Sequence, residues 1–418
     1  MIEEIFSIHP FGRMSIGGNA SAVIYLIRDD FTTALAAGAV NGSPNVPGGT
    51  LTSTRVLIDS GSKVSIAGGE IVWTSGVGNV DPAMRESGAI TRASGRVFLA
   101  QVKVTSIQVQ VGWNNSTTVS LANRRGVLDF ANSELYVIWN NGGSATLIGA
   151  YVIGTTYQMA TVLLATGNMI FVKGGIYTSW SLLWIDRTDT GATVYAAFYN
   201  IGSGSNVALD NFHVPDPLFL PSPLAYDTFT RANGALGNSE TTGPDGQVVT
   251  ARAWTLQNGT IAIVSNTASL TVLGGLTAYA TVNAGSADVM IDVAVTRTLG
   301  SGGIILRYVD ANNYIIAYHN GTNCRIDKVV AGSTTNVVTA NPTYSAGAVV
   351  RVVCYGTKFR LFYAGAAVGS EGTIADAALQ TSALFGLYGS DLSAVWDNFT
   401  VWSRGLDNAY STLDSYLS

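Results

Sequence analysis

The side chains best suited to acid–base chemistry are scattered along this sequence. Its glutamates are Glu3, Glu4, Glu70, Glu86, Glu134, Glu240 and Glu371, and its histidines are His9, His213 and His319. Hydrolysis of a glycosidic bond requires two carboxyls flanking it, one as acid and one as base or nucleophile. No strand-like stretch carries glutamates at the alternate positions that would supply such a pair, which leaves only aspartates for that role. The histidines stand alone, outside any His-Glu-x-x-His pattern, so metal-assisted hydrolysis has no motif. A Gly-x-Ser-x-Gly elbow, a phosphate loop and a dinucleotide fingerprint are absent as well. The sequence therefore reads as that of a protein that is not an enzyme.

What remains is recognition by aromatic rings. A ring face stacks on a sugar while neighbouring amides and carboxylates bond its hydroxyls. Trp113-Asn114-Asn115 and Trp139-Asn140-Asn141 place an aromatic beside amides, and Tyr314, Tyr318, His319 and Asn320 do so later in the chain. The carbohydrate-binding candidates are Trp113, Asn114, Trp139, Asn140, Tyr318 and His319. Each also has a plainer reading, because a strand-rich chain buries aromatics and uses amides in turns.

Strands must position these residues. Val289, Ile291, Val293 and Val295 alternate with Asp288, Met290, Asp292 and Ala294, and Phe98, Ala100, Val102 and Val104 show the same period of two. Further strands are expected at 304–308, 314–318, 349–355 and 359–363, with turns at Asn320-Gly321, Gly356-Thr357 and Ala364-Gly365. Short strands at this spacing predict antiparallel sandwiches. Only 12% of residues are charged, and the abundance of Gly, Ser, Thr and Asn favours strands and turns over helices.

A duplication organises the chain. Asp29-Asp30-Phe31-Thr32 opens a segment that closes with Asp210-Asn211-Phe212-His213-Val214, and Asp227-Thr228-Phe229-Thr230 opens another that closes with Asp397-Asn398-Phe399-Thr400-Val401. The same bookends in the same order imply two domains of one design. The division is an arm at 1–22, a first domain at 23–214, a proline-rich linker at 215–224, a second domain at 225–402 and a tail at 403–418. Prolines in Pro215-Asp216-Pro217-Leu218-Phe219-Leu220-Pro221-Ser222-Pro223 are expected to hold the domains apart, with Leu218, Phe219 and Leu220 free to pack on one neighbour. Leu406, Tyr410, Leu413 and Leu417 lie at helical spacing, so a short terminal helix is expected to dock on its own domain or on another subunit.

A net charge of −5 offers no basic surface for nucleic acid. The longest apolar runs, such as Ala22-Val23-Ile24-Tyr25-Leu26-Ile27, fall far short of the roughly 20 residues that cross a bilayer as a helix, so no membrane insertion is expected. The acidic start Met1-Ile2-Glu3-Glu4 does not resemble a secretion leader. The two cysteines, Cys324 and Cys354, are expected to be buried thiols rather than a disulfide framework.

Gly302-Gly303-Ile304-Ile305-Leu306-Arg307-Tyr308-Val309-Asp310-Ala311-Asn312-Asn313-Tyr314, the hairpin from Val349 to Gly365, and Phe385-Gly386-Leu387-Tyr388 with Trp396-Asp397-Asn398-Phe399 resemble the concanavalin A-like (laminin G-like) jelly-roll domains of extracellular and phage proteins. The resemblance covers roughly residues 225–402, and 23–214 more weakly. It implies an all-β fold of two tandem antiparallel jelly rolls in which first and last strands pair, bringing Phe31 to Phe212 and Phe229 to Phe399. Some relatives hold a structural calcium ion with Asp and Asn oxygens. The resemblance leaves two roles open for Asp29 or Asp30 with Asp210, and for Asp227 with Asp397: calcium ligands, or caps of turns. Extracellular-type domains without a leader fit a structural and adhesive virion protein of a tailed phage, such as a tail fibre, tail tip or capsid decoration. Such a protein would contact other virion proteins through residues 1–22 or the C-terminal tail, and host glycan through its domains, as a monomer or homo-oligomer. The alternative is a bacterial extracellular carbohydrate-binding or glycosidase-associated protein.

Overall fold

The computed structural model describes residues 23–73, 82–105, 108–138, 145–200, 207–405 and 409–417. Nearly every element is a strand, as the alternating pattern requires. Strands from residues 25–215 pair only among themselves, in two antiparallel sheets. One runs in the order Tyr177–Asp186, Asn168–Gly174, Thr156–Leu163, Val97–Val104, Val207–Pro215, Glu70–Trp73, Val64–Ala67; the facing sheet is built around Arg124–Ala131, Val109–Asn114 and Thr193–Asn200. Residues 225–403 repeat the arrangement. A third sheet centres on Val395–Ser403, Val289–Thr296 and Ala348–Tyr355, and a fourth runs Thr255–Asn258, Ala278–Asn283, Leu384–Gly389, Gly302–Asp310, Asn313–His319, Cys324–Val330, Ser333–Ala340. The chain is thus an all-β protein of tandem sandwiches. Among the described residues the helices are short 3-10 turns, and none is long and apolar enough to cross a membrane.

The bookends are the first and last strands of each sandwich. Tyr25–Asp29 pairs with Val207–Pro215, placing Asp29 opposite Phe212, and Ala225–Asp227 pairs with Val395–Ser403, placing Asp227 opposite Phe399. Their local chemistry is the same twice over. Asp29 Oδ1 accepts from the Phe31 amide at 3.2 Å and Asp227 Oδ1 from the Phe229 amide at 2.8 Å, which tightens the turn enough to give both phenylalanines a positive φ, 50° and 59°. At the closing ends Asp210 and Asp397 accept from the next amide, and Asn211 and Asn398 take φ of 53° and 52°. Asparagine tolerates that conformation better than other residues with a Cβ. Phe31 meets Phe212 ring to ring at 5.7 Å, whereas Phe229 reaches Phe399 only through Trp254, at 5.7 and 5.1 Å.

The alternation at 289–295 has two apolar readouts. Val289, Ile291, Val293 and Val295 fill the core of the second sandwich. On the other face Met290 joins Val353, Phe362 and Trp402 in a cluster continuous with the core of the first sandwich. Trp184 packs on Phe362 at 5.0 Å, and the Arg351 guanidinium sits 4.2 Å above the Trp184 ring. The two sandwiches are therefore packed together, not held apart by the prolines. The linker itself lies on the first sandwich: the Phe219 amide donates to Gly95 O at 2.7 Å and its ring meets Phe171 at 6.2 Å, while Leu218 remains about half exposed. A Cβ at Gly95, whose φ is 87°, would press on Leu218 and Leu220 at 3.2 Å.

The tail forms the expected short helix, of 3-10 type, but docks it on the first sandwich and not on its own domain or another subunit. Its 3-10 turn Ser411–Tyr416 returns to the first sandwich, burying Leu413 and placing Asp414 3.0 Å from Trp180 Nε1 and 2.5 Å from Lys173 Nζ. Tyr416 O is shared by Tyr25 Oη at 3.3 Å and His213 Nδ1 at 3.1 Å. The bookend strands of the first sandwich therefore anchor the end of the chain. Cys324 and Cys354 are buried free thiols, and burial pushes them up to about 12 and about 11.

Candidate functional site

The fourth sheet turns one face to the core of the second sandwich and the other outward. Along Gly302–Asp310, Ile304 and Leu306 point inward and Ile305 outward, as a period of two dictates. A register shift between Leu306 and Asp310 then breaks the period. Arg307 takes a φ of 44° and is fully buried, bonding Ala287 O, Gly356 O and Asp288 Oδ1 at 3.1, 2.8 and 3.0 Å. The bulge delivers Tyr308 to the same outward face as Ile305.

Strand pairing carries that face across the sheet. Tyr279 stands opposite Tyr388, Tyr388 opposite Gly303, Gly303 opposite Tyr318, Tyr318 opposite Arg325 and Arg325 opposite Thr339. The adjacent row carries Ile305, Ile316, Asp327 and Asn336. Gly303 is required here, since a Cβ would fall 2.0 Å from Ala317 O, and its missing side chain lets the Tyr318 and Tyr388 rings meet at 5.6 Å. Tyr279 and Tyr314 belong to strands with two others between them, a span of about 14 Å on a flat sheet. Their rings nonetheless lie 5.5 Å apart, so they lean toward each other across the strands between them.

Five tyrosines thus line one trough. Tyr279, Tyr308 and Tyr388 are mostly buried against one another, with Tyr279 and Tyr308 at 5.7 Å and Tyr308 and Tyr314 at 6.2 Å. Their hydroxyls are not enclosed: those of Tyr279, Tyr308, Tyr314 and Tyr388 make no hydrogen bond among the described residues and reach solvent. Burial raises the pKa of all four, so each is an O–H donor at neutral pH. Tyr318 is raised by burial and then by its bond to Asp327 Oδ2 at 2.7 Å. Asp327 Oδ1 accepts from Arg325 Nε at 2.9 Å, Arg325 Nη2 at 2.7 Å and Asn336 Nδ2 at 2.9 Å. The trough therefore offers ring edges, free phenol hydroxyls and an ordered Arg–Asp–Asn group, which suits a ligand rich in hydroxyls and poor in charge.

Of the residues singled out from sequence, Tyr314 and Tyr318 lie in this trough. His319 points the other way, with no exposed surface: Nε2 faces Pro342 O at 3.1 Å, Nδ1 accepts from the Gly321 amide at 2.8 Å, and the ring lies 4.8 Å from Tyr363. Trp113 is interior and packs on Phe98 at 5.4 Å. Asn114 is interior too, donating to Thr118 O at 3.3 Å and accepting from Tyr199 Oη at 2.9 Å, which is turn chemistry. Trp139 and Asn140 lie outside the described residues. Tyr279, Tyr308 and Tyr388 carry no sequence signal for binding, because only strand register brings them together.

The aspartates serve turns and ion pairs. Asp227 holds Arg231 at 2.6 and 3.0 Å and Trp254 Nε1 at 2.8 Å; its counterpart in the first sandwich is Asp29, which holds the buried Arg55 at 2.6 and 2.5 Å. Burial pushes Asp30 up, but His213 Nε2 at 2.5 Å and Arg28 Nε at 3.0 Å outweigh it and hold its carboxyl below the usual range. Burial pushes Asp210 up to about 6, and raises Asp397. Among the described residues, His, Cys, Asp and Glu form no group of three placed to hold a metal ion.

No family model and no curated protein matches the chain. Solved structures that align include the carbohydrate-binding module CBM66 from Bacillus subtilis, at 20% identity and a TM-score of 0.32 over 36% of this chain and 95% of that one. Mouse laminin alpha1 chain domains LG4-5 align at 10% identity and a TM-score of 0.23, over 76% of this chain and 86% of that one. The GH43 protein BlXynB from Bacillus licheniformis aligns at 11% identity and a TM-score of 0.27, over 92% and 99%. Scores this low carry no functional argument, and the fold stands on the strand pairing described above.

Proposed function

We propose that this chain is a non-catalytic glycan-binding protein whose ligand lies along the tyrosine trough of the second sandwich. The observation that carries the reading is the set of four phenol hydroxyls on one sheet face, unpartnered among the described residues, beside the ordered Arg325–Asp327–Asn336 group. Hydroxyls and ring edges at this density match a polyhydroxylated ligand, because each phenol can both donate to and accept from a sugar hydroxyl. The carboxylate within the trough, Asp327, is engaged by three neighbours, which suits an orienting acceptor better than an acid or nucleophile.

An array of neutral and acidic glycans probed with the full chain tests the reading. Binding to at least one hydroxyl-rich saccharide is expected, and a blank array with folded protein overturns it. The setting belongs to the proposal as well. The same ligand chemistry serves a virion protein attached through residues 1–22 or an exported bacterial binding protein, and mass spectrometry of purified particles separates the two.

A further inference from the structure

Packing the edge strand Tyr177–Asp186 against the outer face of the third sheet leaves a second cleft, of about 340 Å³, between the sandwiches. Tyr177 and Ser181 line it from the first sandwich, and Tyr355, Lys358, Arg360 and Arg404 from the second. Its volume falls in the range of roughly 300 to 1,000 Å³ usual for small-molecule sites.

The cleft is short of negative charge. Among the described residues Glu371 is its one carboxylate, and it is already engaged by Tyr355 Oη at 2.8 Å and Arg360 Nε at 3.3 Å, with Lys358 more distant at 3.8 Å. Arg404 is 3% exposed and forms no ion pair among the described residues. Its Nη1 donates to Leu182 O, its Nε has no partner among the described residues, and its guanidinium lies 5.2 Å from the Tyr355 ring and 6.0 Å from the Tyr177 ring. Burial pulls its pKa down and outweighs the Tyr177, Tyr355, Tyr410 and Asp288 groups, which raise it. A buried guanidinium without an anion is costly unless a ligand supplies one. Lys358, about half exposed at the rim, adds a second positive charge.

We propose that this cleft is a second ligand site that takes an anionic sugar residue, its carboxylate or sulfate set between Arg404 and Lys358. The sugar ring rests on the glycan reading above. The anion rests on Arg404 and Lys358 alone, whose donors form charge-assisted bonds to such groups.

Calorimetric titration of the full chain with oligogalacturonate, a sulfated disaccharide, a neutral oligosaccharide and sodium acetate or sulfate tests it. An acidic saccharide is expected to bind, with affinity falling about tenfold or more in Lys358→Ala and in Arg404→Gln, as loss of a charge-assisted contact predicts. Tyr388→Ala, in the trough, is expected to leave that binding in place. Lys358 is a rim residue, so its variant keeps the test valid if Arg404→Gln fails to fold. The proposal is overturned if neither acidic saccharide binds, if Lys358→Ala binds as wild type, or if acetate or sulfate binds as tightly as the saccharide. Acidic binding abolished by Tyr388→Ala and unaffected by Lys358→Ala overturns the cleft and leaves the trough. The reverse pattern, with no neutral glycan bound at all, overturns the trough and leaves the cleft.

Discussion

Glu86 offers the sharpest test of the buried electrostatics. It ends the strand Ala83–Glu86 with no exposed surface, and its Oε2 accepts from Asn45 Nδ2 at 2.7 Å and Ser53 Oγ at 2.8 Å while Oε1 has no partner. The nearby Arg55 is committed to Asp29 through two bonds, and its charge lowers Glu86 by less than burial and Asp29 raise it. Burial, and then the Asp29 charge, push Glu86 from 4.5 up to about 8. The folded protein therefore holds a proton at neutral pH that the unfolded chain releases. Between those two values the folded state binds more protons, so this group's contribution is full below pH 4.5 and is lost as pH rises through 8. Each tenfold in proton affinity is worth about 1.4 kcal/mol, which makes the loss roughly 3 kcal/mol by neutral pH. Glu86→Gln keeps an acceptor for Asn45 and Ser53 and never ionises. Scanning calorimetry at pH 5 and pH 8 is expected to show the variant gaining on wild type with rising pH, by roughly 6 to 12 °C in Tm for a sandwich of this size. A difference between the two proteins that does not change with pH refutes the reasoning, because it means that Glu86 ionises as an ordinary carboxyl.

Other substitutions probe the remaining structure. Trp184→Ala removes the ring that packs on Phe362 and carries Arg351, and is expected to cost about 3–5 kcal/mol, read as a lower Tm. Asn398→Val forces a branched side chain into a φ of 52° and is expected to cost about 1–3 kcal/mol, whereas Asn398→Gly stays near wild type in the same denaturation series. Leu413→Ala is expected to cost about 3 kcal/mol and to loosen the first sandwich, seen as faster amide exchange along Tyr177–Asp186, because the tail docks there.

Much of the architecture was legible in the sequence because its signals are local. The bookends named the first and last strands, since an aspartate that caps its own turn and an asparagine that accepts positive φ leave a recognisable pattern at each end. The alternation at 289–295 and the hairpin around Asp310 and Asn313 are also short-range, the latter fixed by the Asn312 amide and Asn313 Nδ2 on Asp310 Oδ1. What a face meets was not legible. Val109–Asn114 is buried on both sides, so Trp113 beside Asn114 could not be told from an exposed pair by period alone. The bulge at Arg307 shifts Tyr308 to the other face, and a one-residue slip of that kind changes every side assignment beyond it. The trough depends on register between strands far apart in sequence, as when Tyr279 meets Tyr388. The contact between sandwiches and the docking of the tail are tertiary choices, made by Met290, Phe362 and Trp402 on a face that the pattern alone assigned to no partner.

The claim that the trough binds glycan is tested most directly by titrating one array-selected neutral saccharide against wild type, Tyr318→Ala and Tyr388→Ala, with circular dichroism confirming that each is folded. Affinity is expected to fall about tenfold or more in both variants, since each removes a ring and a hydroxyl from the centre of the face. Folded variants that bind the saccharide as tightly as wild type would contradict it.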